Sequence, residues 1–174
     1  MSSELEDTIL RAQQGDRAAF SHLVEEHYAS MYRFAYKYCG NREDAEDVTQ
    51  QACVKLAHAL PQFRFQAAFT TWLYRLVVNC ALDWHRSRAP RAEREAPEPV
   101  APDAAEPAVM LDQVLALVQA MGGGYRETLI LVLGEGLTHA EAAQVLDVKE
   151  STVSWRLHEI RKRLAQAHPP GVEV

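Results

Sequence analysis

Between residues 89 and 109 the chain reads "APRAEREAPEPVAPDAAEPAV", and this stretch constrains the fold more than any other. It is rich in Pro, Ala and Glu and has almost no large apolar side chain. Such a segment cannot bury enough surface to offset the entropy lost on ordering. A flexible, extended, acidic linker is expected there. It divides the 174 residues into domains at 1–88 and 110–168, with a short tail at 169–174.

Each domain reads as helical, so the expected class is all-α. Phe20, Leu23, Val24, His27, Tyr28, Met31, Phe34, Ala35 and Tyr38 recur at helical spacing, which predicts an amphipathic helix over 17–39. Gly40 suits a left-handed C-cap, and Asn41 can cap the helix that follows. In that next helix Ala45, Val48, Thr49, Ala52 and Leu56 form an inward face, and Pro61 stops it. A loop, "QFRFQAAFTT", carries Phe63, Arg64, Phe65 and Gln66 with aromatic rings that look exposed. A further helix runs from about Phe69 to Arg88 and buries Phe69, Leu73, Leu76, Val77, Cys80 and Trp84.

The second domain opens on two apolar helices, "VMLDQVLALVQAM" and "YRETLILVLGEG", separated by the Gly triplet 122–124. With no preceding strand and no G-K-[ST], the triplet reads as a turn and not as a phosphate loop. Thr138 and Glu141 make a capping box, T-x-x-E, and Asp147 occupies a sharp turn whose left-handed backbone Asp tolerates. The last helix turns Val153, Leu157, Ile160 and Leu164 inward and Ser151, Ser154, Trp155, His158 and Glu159 outward, ahead of the basic run 161–163. Two short helices around a tight turn read as a helix-turn-helix, whose second helix meets base edges while flanking basic residues meet phosphate.

A net charge of −6 is at first sight wrong for such a protein, but the charge is uneven. Residues 1–60 hold ten acids against six bases, whereas residues 61–94 hold six bases against two acids. Residues 95–112 contain five acids and no base, and 138–168 carry five bases against four acids. Binding to nucleic acid depends on the local footprint, so two basic regions survive the acidic average.

Other classes of function fare poorly. The polar, acidic amino terminus is neither a signal nor a transit peptide, and no apolar run is long enough to span a membrane. Cys39, Cys53 and Cys80 form no C-x-x-C pair and sit in apolar helical patterns, so they read as small core residues. The seven histidines lack metal-ligand spacing and read as surface or groove residues. No metal, cofactor or small-molecule substrate is expected, nor any catalytic residue, because no nucleophile–base spacing is present. The default location is the cytoplasm.

Two surfaces remain to be explained. Glu43, Glu46, Asp47, Gln50 and Gln51 gather on the outer side of their helix, where a plain solvated face is the simplest reading. Arg75, Asn79 and Arg86 line the outer side of the helix after the aromatic loop, with Trp72 and Asp83 at a shared flank. Such a stripe suits single-stranded nucleic acid, with Arg on phosphates and aromatic or amide groups on unstacked bases. A solvated face accounts for it equally.

The order of the motifs supports more. "REDAEDVTQQACVKL", then "FRFQAAFTTWLYRLVVNCALDWHRSR", then the acidic linker, then "GLTHAEAAQVLDVKESTVSWRLHEIRKRL" resembles a bacterial sigma factor of the extracytoplasmic-function (ECF) group, from about residue 5 to residue 167. That resemblance implies two helical domains that bind the promoter −10 and −35 elements. It assigns Asp44, Glu46, Asp47, Gln50 and Gln51 to docking on core RNA polymerase. It assigns Phe63, Arg64, Phe65, Gln66, Arg75, Asn79 and Arg86 to the −10 element, where a base of the non-template strand is flipped into a pocket. It assigns Ser151, Thr152, Ser154, Trp155 and His158 to the −35 element, with Arg156 and Arg161 mainly on its backbone. The acidic linker would thread toward the RNA exit path, and an anti-sigma factor is an expected partner.

Departures from the family pattern are specific. Phe65 stands where Gly is usual in "F-R-G", and "MGGGYRE" replaces "L-P-x-x-x-R-E". Trp155 and Glu159 replace residues that are often small and basic respectively, which implies an unusual −35 preference. A stand-alone helix-turn-helix regulator would explain 125–168 but leaves the "DAEDVTQQ" helix without a purpose. A small helical hydrolase lacks the spacings it needs.

Overall fold

The computed structural model describes residues 3–92 and 107–167, and the described residues are helices and turns without a strand. The chain divides into two compact units, Met1–Glu93 and Arg94–Val174.

In the first unit α1 (Ser3–Gln13), α2 (Arg17–Cys39), α3 (Arg42–Ala59) and α4 (Phe69–Ala92) pack around one core. Local chemistry sets most of their ends. Asp16 caps α2 by accepting from the backbone N–H groups of Ala18 and Ala19, and Gly40 closes it at φ 79°. Asn41 Oδ1 accepts from Asp44 N at 2.9 Å and starts α3. Pro61 lies in a 3₁₀ turn, Leu60–Gln62, after α3 has ended at Ala59. Leu23, Phe34, Tyr38, Val48, Leu56, Phe69 and Val77 fill the interior.

Three expectations need correction here. The fourth helix runs four residues beyond Arg88, to Ala92, so the expected linker begins inside a helix. Residues 93–106 and 168–174, which include the tail at 169–174, lie outside the described residues. Of the three cysteines only Cys80 is buried; Cys39 and Cys53 are half-exposed, because both sit toward the edge of their helix's inward face. His27 is no surface residue but is buried beneath the ring of Phe69, 5.2 Å away.

In the second unit α5 (Pro107–Ala120) and α6 (Tyr125–Leu129) are joined by the Gly turn, in which Gly122 and Gly124 take φ values of 111° and 88°. The chain leaves α6 through a π turn, Ile130–Gly134, into α7 (His139–Leu146). The capping box forms at the start of α7. Thr138 N donates to Glu141 Oε2 at 2.8 Å, and Glu141 N donates to Thr138 Oγ1 at 3.2 Å. Asp147 does adopt the left-handed conformation, at φ 54°, and turns the chain into α8 (Glu150–Ala167). Buried Ala142 and Ala143 let α8 approach closely through Val153, Leu157 and Ile160.

Candidate nucleic-acid and protein interfaces

On α3 the inward residues Ala45, Val48, Thr49, Ala52 and Leu56 are all buried, as their spacing requires. Asp47, Gln50 and Gln51 are exposed, and they border a surface depression shared with Val54 and Lys55. Glu46 is half-exposed and pairs with Arg42 at 2.7 Å. Val54 is absent from the sequence expectations, yet it is 58% exposed among these polar groups. Its signal was present: an apolar residue on the helix face opposite the core.

Asp44 does not belong to that face. It is 4% exposed, turned toward α4, where Oδ1 accepts from Trp84 Nε1 at 3.1 Å and pairs with Arg88 at 2.7 Å. Its other oxygen accepts from Asn41 Nδ2 at 2.6 Å. Asp44 therefore joins the start of α3 to the end of α4 and is buried away from the exposed face of α3. The sequence carried a hint, since Asn41 and Asp44 stand at the N-cap and N3 positions where capping residues reciprocate.

The aromatic loop is built inward as much as outward. Phe63 is 5% exposed and lies at the centre of a cluster, with ring centroids 4.8 Å from Phe65, 5.6 Å from Phe69 and 5.0 Å from Trp72. The expectation of exposed rings fails for Phe63 because the neighbouring helix presents its own aromatic face. Gln13, at the end of α1, donates from Nε2 to the carbonyl oxygens of Leu60 and Phe63, each at 2.9 Å. This clamp spans nearly fifty residues of sequence, and the sequence reading missed it. Arg64 and Gln66 are exposed, and Phe65 is half-buried. Phe65 has φ 56°, a left-handed backbone that a bulky side chain adopts only at a cost, about 1–2 kcal/mol. A glycine would take that conformation freely, so the chain keeps the backbone of a Gly turn while adding a ring.

On α4, Arg75 and Asn79 are exposed as expected. Arg86 is also exposed but is shared with Asp83, which in turn binds Lys55 Nζ at 2.8 Å. Hydrogen bonds from Lys55 and then Arg86 hold the Asp83 carboxyl below its ordinary value. The pair is solvent-exposed, so phosphate oxygens can displace it at little cost.

In the second unit Ser151, Ser154, Trp155, His158 and Arg161 project from α8 into solvent, with Thr152 half-buried. Ser154 Oγ lies 2.9 Å from His139 Nδ1, which adds His139 to this surface. Trp155 is 54% exposed and leans on Tyr125, with centroids 5.9 Å apart. Arg156 departs from expectation: it folds back to donate to Gly124 O at 3.3 Å, with its guanidinium over the Tyr125 ring. Close packing explains this choice, because a Cβ at position 124 would lie 2.4 Å from that guanidinium. The Gly triplet and Arg156 thus form one latch, which turns the guanidinium back toward residue 124.

A chain with an acidic outer helix and an aromatic loop in one helical unit, and a helix-turn-helix in the other, has the parts of a promoter-reading transcription factor. Sequence comparison is more specific. The profile of Sigma-70 region 2 matches residues 23–91, and that of Sigma-70 region 4 matches residues 111–164. The ECF RNA polymerase sigma factor SigM of Mycobacterium tuberculosis is 34% identical over 156 residues, covering 87% of this chain and 78% of its own. The ECF RNA polymerase sigma-E factor of Escherichia coli is 29% identical, over 94% of this chain and 95% of its own. Among solved structures, CnrH in complex with the cytosolic domain of CnrY superposes with a TM-score of 0.70 at 27% identity, covering 92% and 94% of the two chains. RpoE of Bartonella quintana, in complex with the anti-sigma factor NepR, shares the fold, with a TM-score of 0.63 at 20% identity over 84% and 94%. The chain belongs to the sigma-70 family of RNA polymerase sigma factors, in its extracytoplasmic-function group.

Proposed function

We propose that this sigma factor divides its work among three surfaces. The exposed part of α3, comprising Asp47, Gln50, Gln51 and Val54 with Glu46 at its edge, docks on core RNA polymerase. The loop residues Arg64, Phe65 and Gln66, with Arg75, Asn79 and Arg86 of α4, hold the separated strand of the −10 element, and buried Phe63 supports them from below. Ser151, Thr152, Ser154, Trp155 and His158 read the −35 duplex, and Arg161 neutralises a phosphate. Polymerase performs the chemistry, and the sigma factor acts in the cytoplasm. Among the described residues no helix is long and apolar enough to cross a membrane.

What carries this reading is the separation of roles between two family-matched units, with an acidic, partly apolar face on one and a helix-turn-helix on the other. A solvated face would not explain why Val54 sits open among Asp47, Gln50 and Gln51. An anti-sigma factor is a further proposed partner, because the structural relative CnrH is seen bound to the cytosolic domain of CnrY.

Run-off transcription with bacterial core polymerase on a promoter pool tests the whole scheme. The wild-type chain gives promoter-specific transcripts, and Asp47→Arg combined with Gln51→Arg abolishes them while leaving the helical fold intact. Absence of transcripts, together with tight DNA binding by the protein alone, would instead favour a stand-alone regulator.

A further inference from the structure

A side-chain amide has two N–H groups, and Gln13, the last residue of α1, directs both at the chain that leaves α3. One goes to Leu60 O and the other to Phe63 O, each at 2.9 Å. α3 has just ended there, and a helix end leaves its last C=O groups without partners in the helix. The amide meets them from a fixed frame. Ile9 anchors α1 in the core with no exposed surface. Arg11 Nε donates to Asp16 Oδ2 at 3.0 Å, and the same Asp16 caps α2, so the turn after α1 is tied on both sides. Two residues beyond Phe63 the backbone takes φ 56° at Phe65, a strained conformation that persists only where its surroundings impose it. Leu60 and Phe63 are buried, so their carbonyls, held by Gln13, fix the path into that turn. The exposed side chains of Arg64 and Gln66 flank it and take their directions from it.

We propose that Gln13 is a positioning residue for promoter opening, through which α1 governs a surface that it does not itself form. Its amide sets the backbone from which Arg64 and Gln66 reach the separated strand, and this rests on the −10 role proposed for those two side chains. A strand of no fixed shape is bound best by a surface that is already ordered. Without the clamp the backbone at Phe65 relaxes out of its strained conformation, and the loop must be ordered again whenever a strand binds. The loss therefore falls on the single strand. Core polymerase and the −35 duplex, which meet the proposed α3 and α8 surfaces, are held as before.

Gln13→Met keeps the length of the side chain and removes both donors, whereas Gln13→Lys returns donors to the same carbonyls. Ile9→Val is the control, since it loosens α1 through the core and leaves the clamp in place. Each full-length variant is joined to core polymerase on a promoter that the wild-type holoenzyme transcribes. The readouts are affinity for core, binding of a single-stranded −10 oligonucleotide by the holoenzyme, and unpaired thymines revealed by permanganate. Gln13→Met weakens oligonucleotide binding and opening roughly tenfold, and Gln13→Lys recovers most of both. Core affinity is the same for all. Ile9→Val lowers the melting temperature, yet below it opens the promoter as the wild type does. If Gln13→Met opens the promoter as well as the wild type, or loses core affinity in the same proportion, the clamp is only part of the fold and the proposal falls. It falls also if Gln13→Lys recovers nothing, or if Ile9→Val reproduces the defect of Gln13→Met. Should the wild-type holoenzyme give no promoter-specific transcript, the sigma-factor assignment of the surfaces fails first and takes the positioning role with it.

Discussion

The two units present their nucleic-acid surfaces in opposite ways. In the first, the candidate residues are wired into the fold: Phe63 is a core ring, Arg86 is shared with Asp83, and Phe65 is held in a strained backbone. In the second, Ser151, Trp155, His158 and Arg161 stand off one helix with few ties. The difference follows from the two tasks. A duplex offers its own regular groove, so a helix reading it need only project side chains at the helical period. An opened strand has no fixed shape, so the protein must supply the shape, and a preformed surface avoids ordering costs on binding. Function and stability are therefore expected to be coupled in the first unit and separable in the second.

The largest effect tests that coupling. Phe63→Ala removes a buried ring that touches three others, and it should destabilise the first unit by about 3–5 kcal/mol. For a unit of this size that amounts to well over ten degrees in melting temperature. Calorimetry or far-UV melting checks it. A loss of promoter opening with unchanged melting would show that Phe63 contacts DNA directly and would break the comparison.

A smaller effect concerns pH. His27 is buried in the first unit and its Nε2 has no hydrogen-bond partner, so burial, aided by His22, pushes its pKa below the ordinary 6.5. A histidine kept neutral by the fold binds its proton more readily once unfolded. Its contribution to stability is thus fully present above about pH 6.5 and is lost as pH falls through that value toward the depressed one. Urea midpoints at pH 7.5 and 5.5 should differ for the wild type and differ less for His27→Leu. Identical differences in both proteins would remove His27 as the cause. The carboxylates of Asp16, Asp83 and Glu141, all held below their ordinary values, act only at lower pH and do not confuse this window.

What could be read from the sequence divides along the same line. The C-cap at Gly40, the capping box of Thr138 and Glu141, and the left-handed Asp147 were legible because each depends on residues within one turn. The inward faces of α3 and α8 followed from periodicity alone, as did that of α2 except at Tyr28, which is exposed, and so did the exposed Ser151, Trp155 and His158. The contacts that went unread are long-range. Gln13 reaches the loop near residue 60, Asp44 reaches Trp84 and Arg88, and Arg156 reaches Gly124. A polar residue says nothing in one dimension about which distant group will satisfy it. The surface of the second unit was therefore easier to predict than that of the first, where function rests on such ties.

The smallest predicted effect is also the most discriminating, because it compares two arginines five residues apart on α8. Arg161 is exposed beyond His158, the last of the proposed base-reading positions, whereas Arg156 is latched to Gly124 O and lies over Tyr125. Removing a phosphate contact should weaken binding uniformly across sequences and reduce the salt dependence by about one counterion. Arg161→Ala should do this with melting unchanged to within about 0.5 kcal/mol, the usual range for an exposed site. Arg156→Ala should do the reverse, loosening the turn between α5 and α6 while leaving the salt slope alone. Binding of holoenzyme to a −35 duplex, measured at several salt concentrations beside a melting curve, separates the two. If Arg156→Ala lowers the salt slope as much as Arg161→Ala, the latch opens on DNA, and the second unit is as tightly coupled to its ligand as the first.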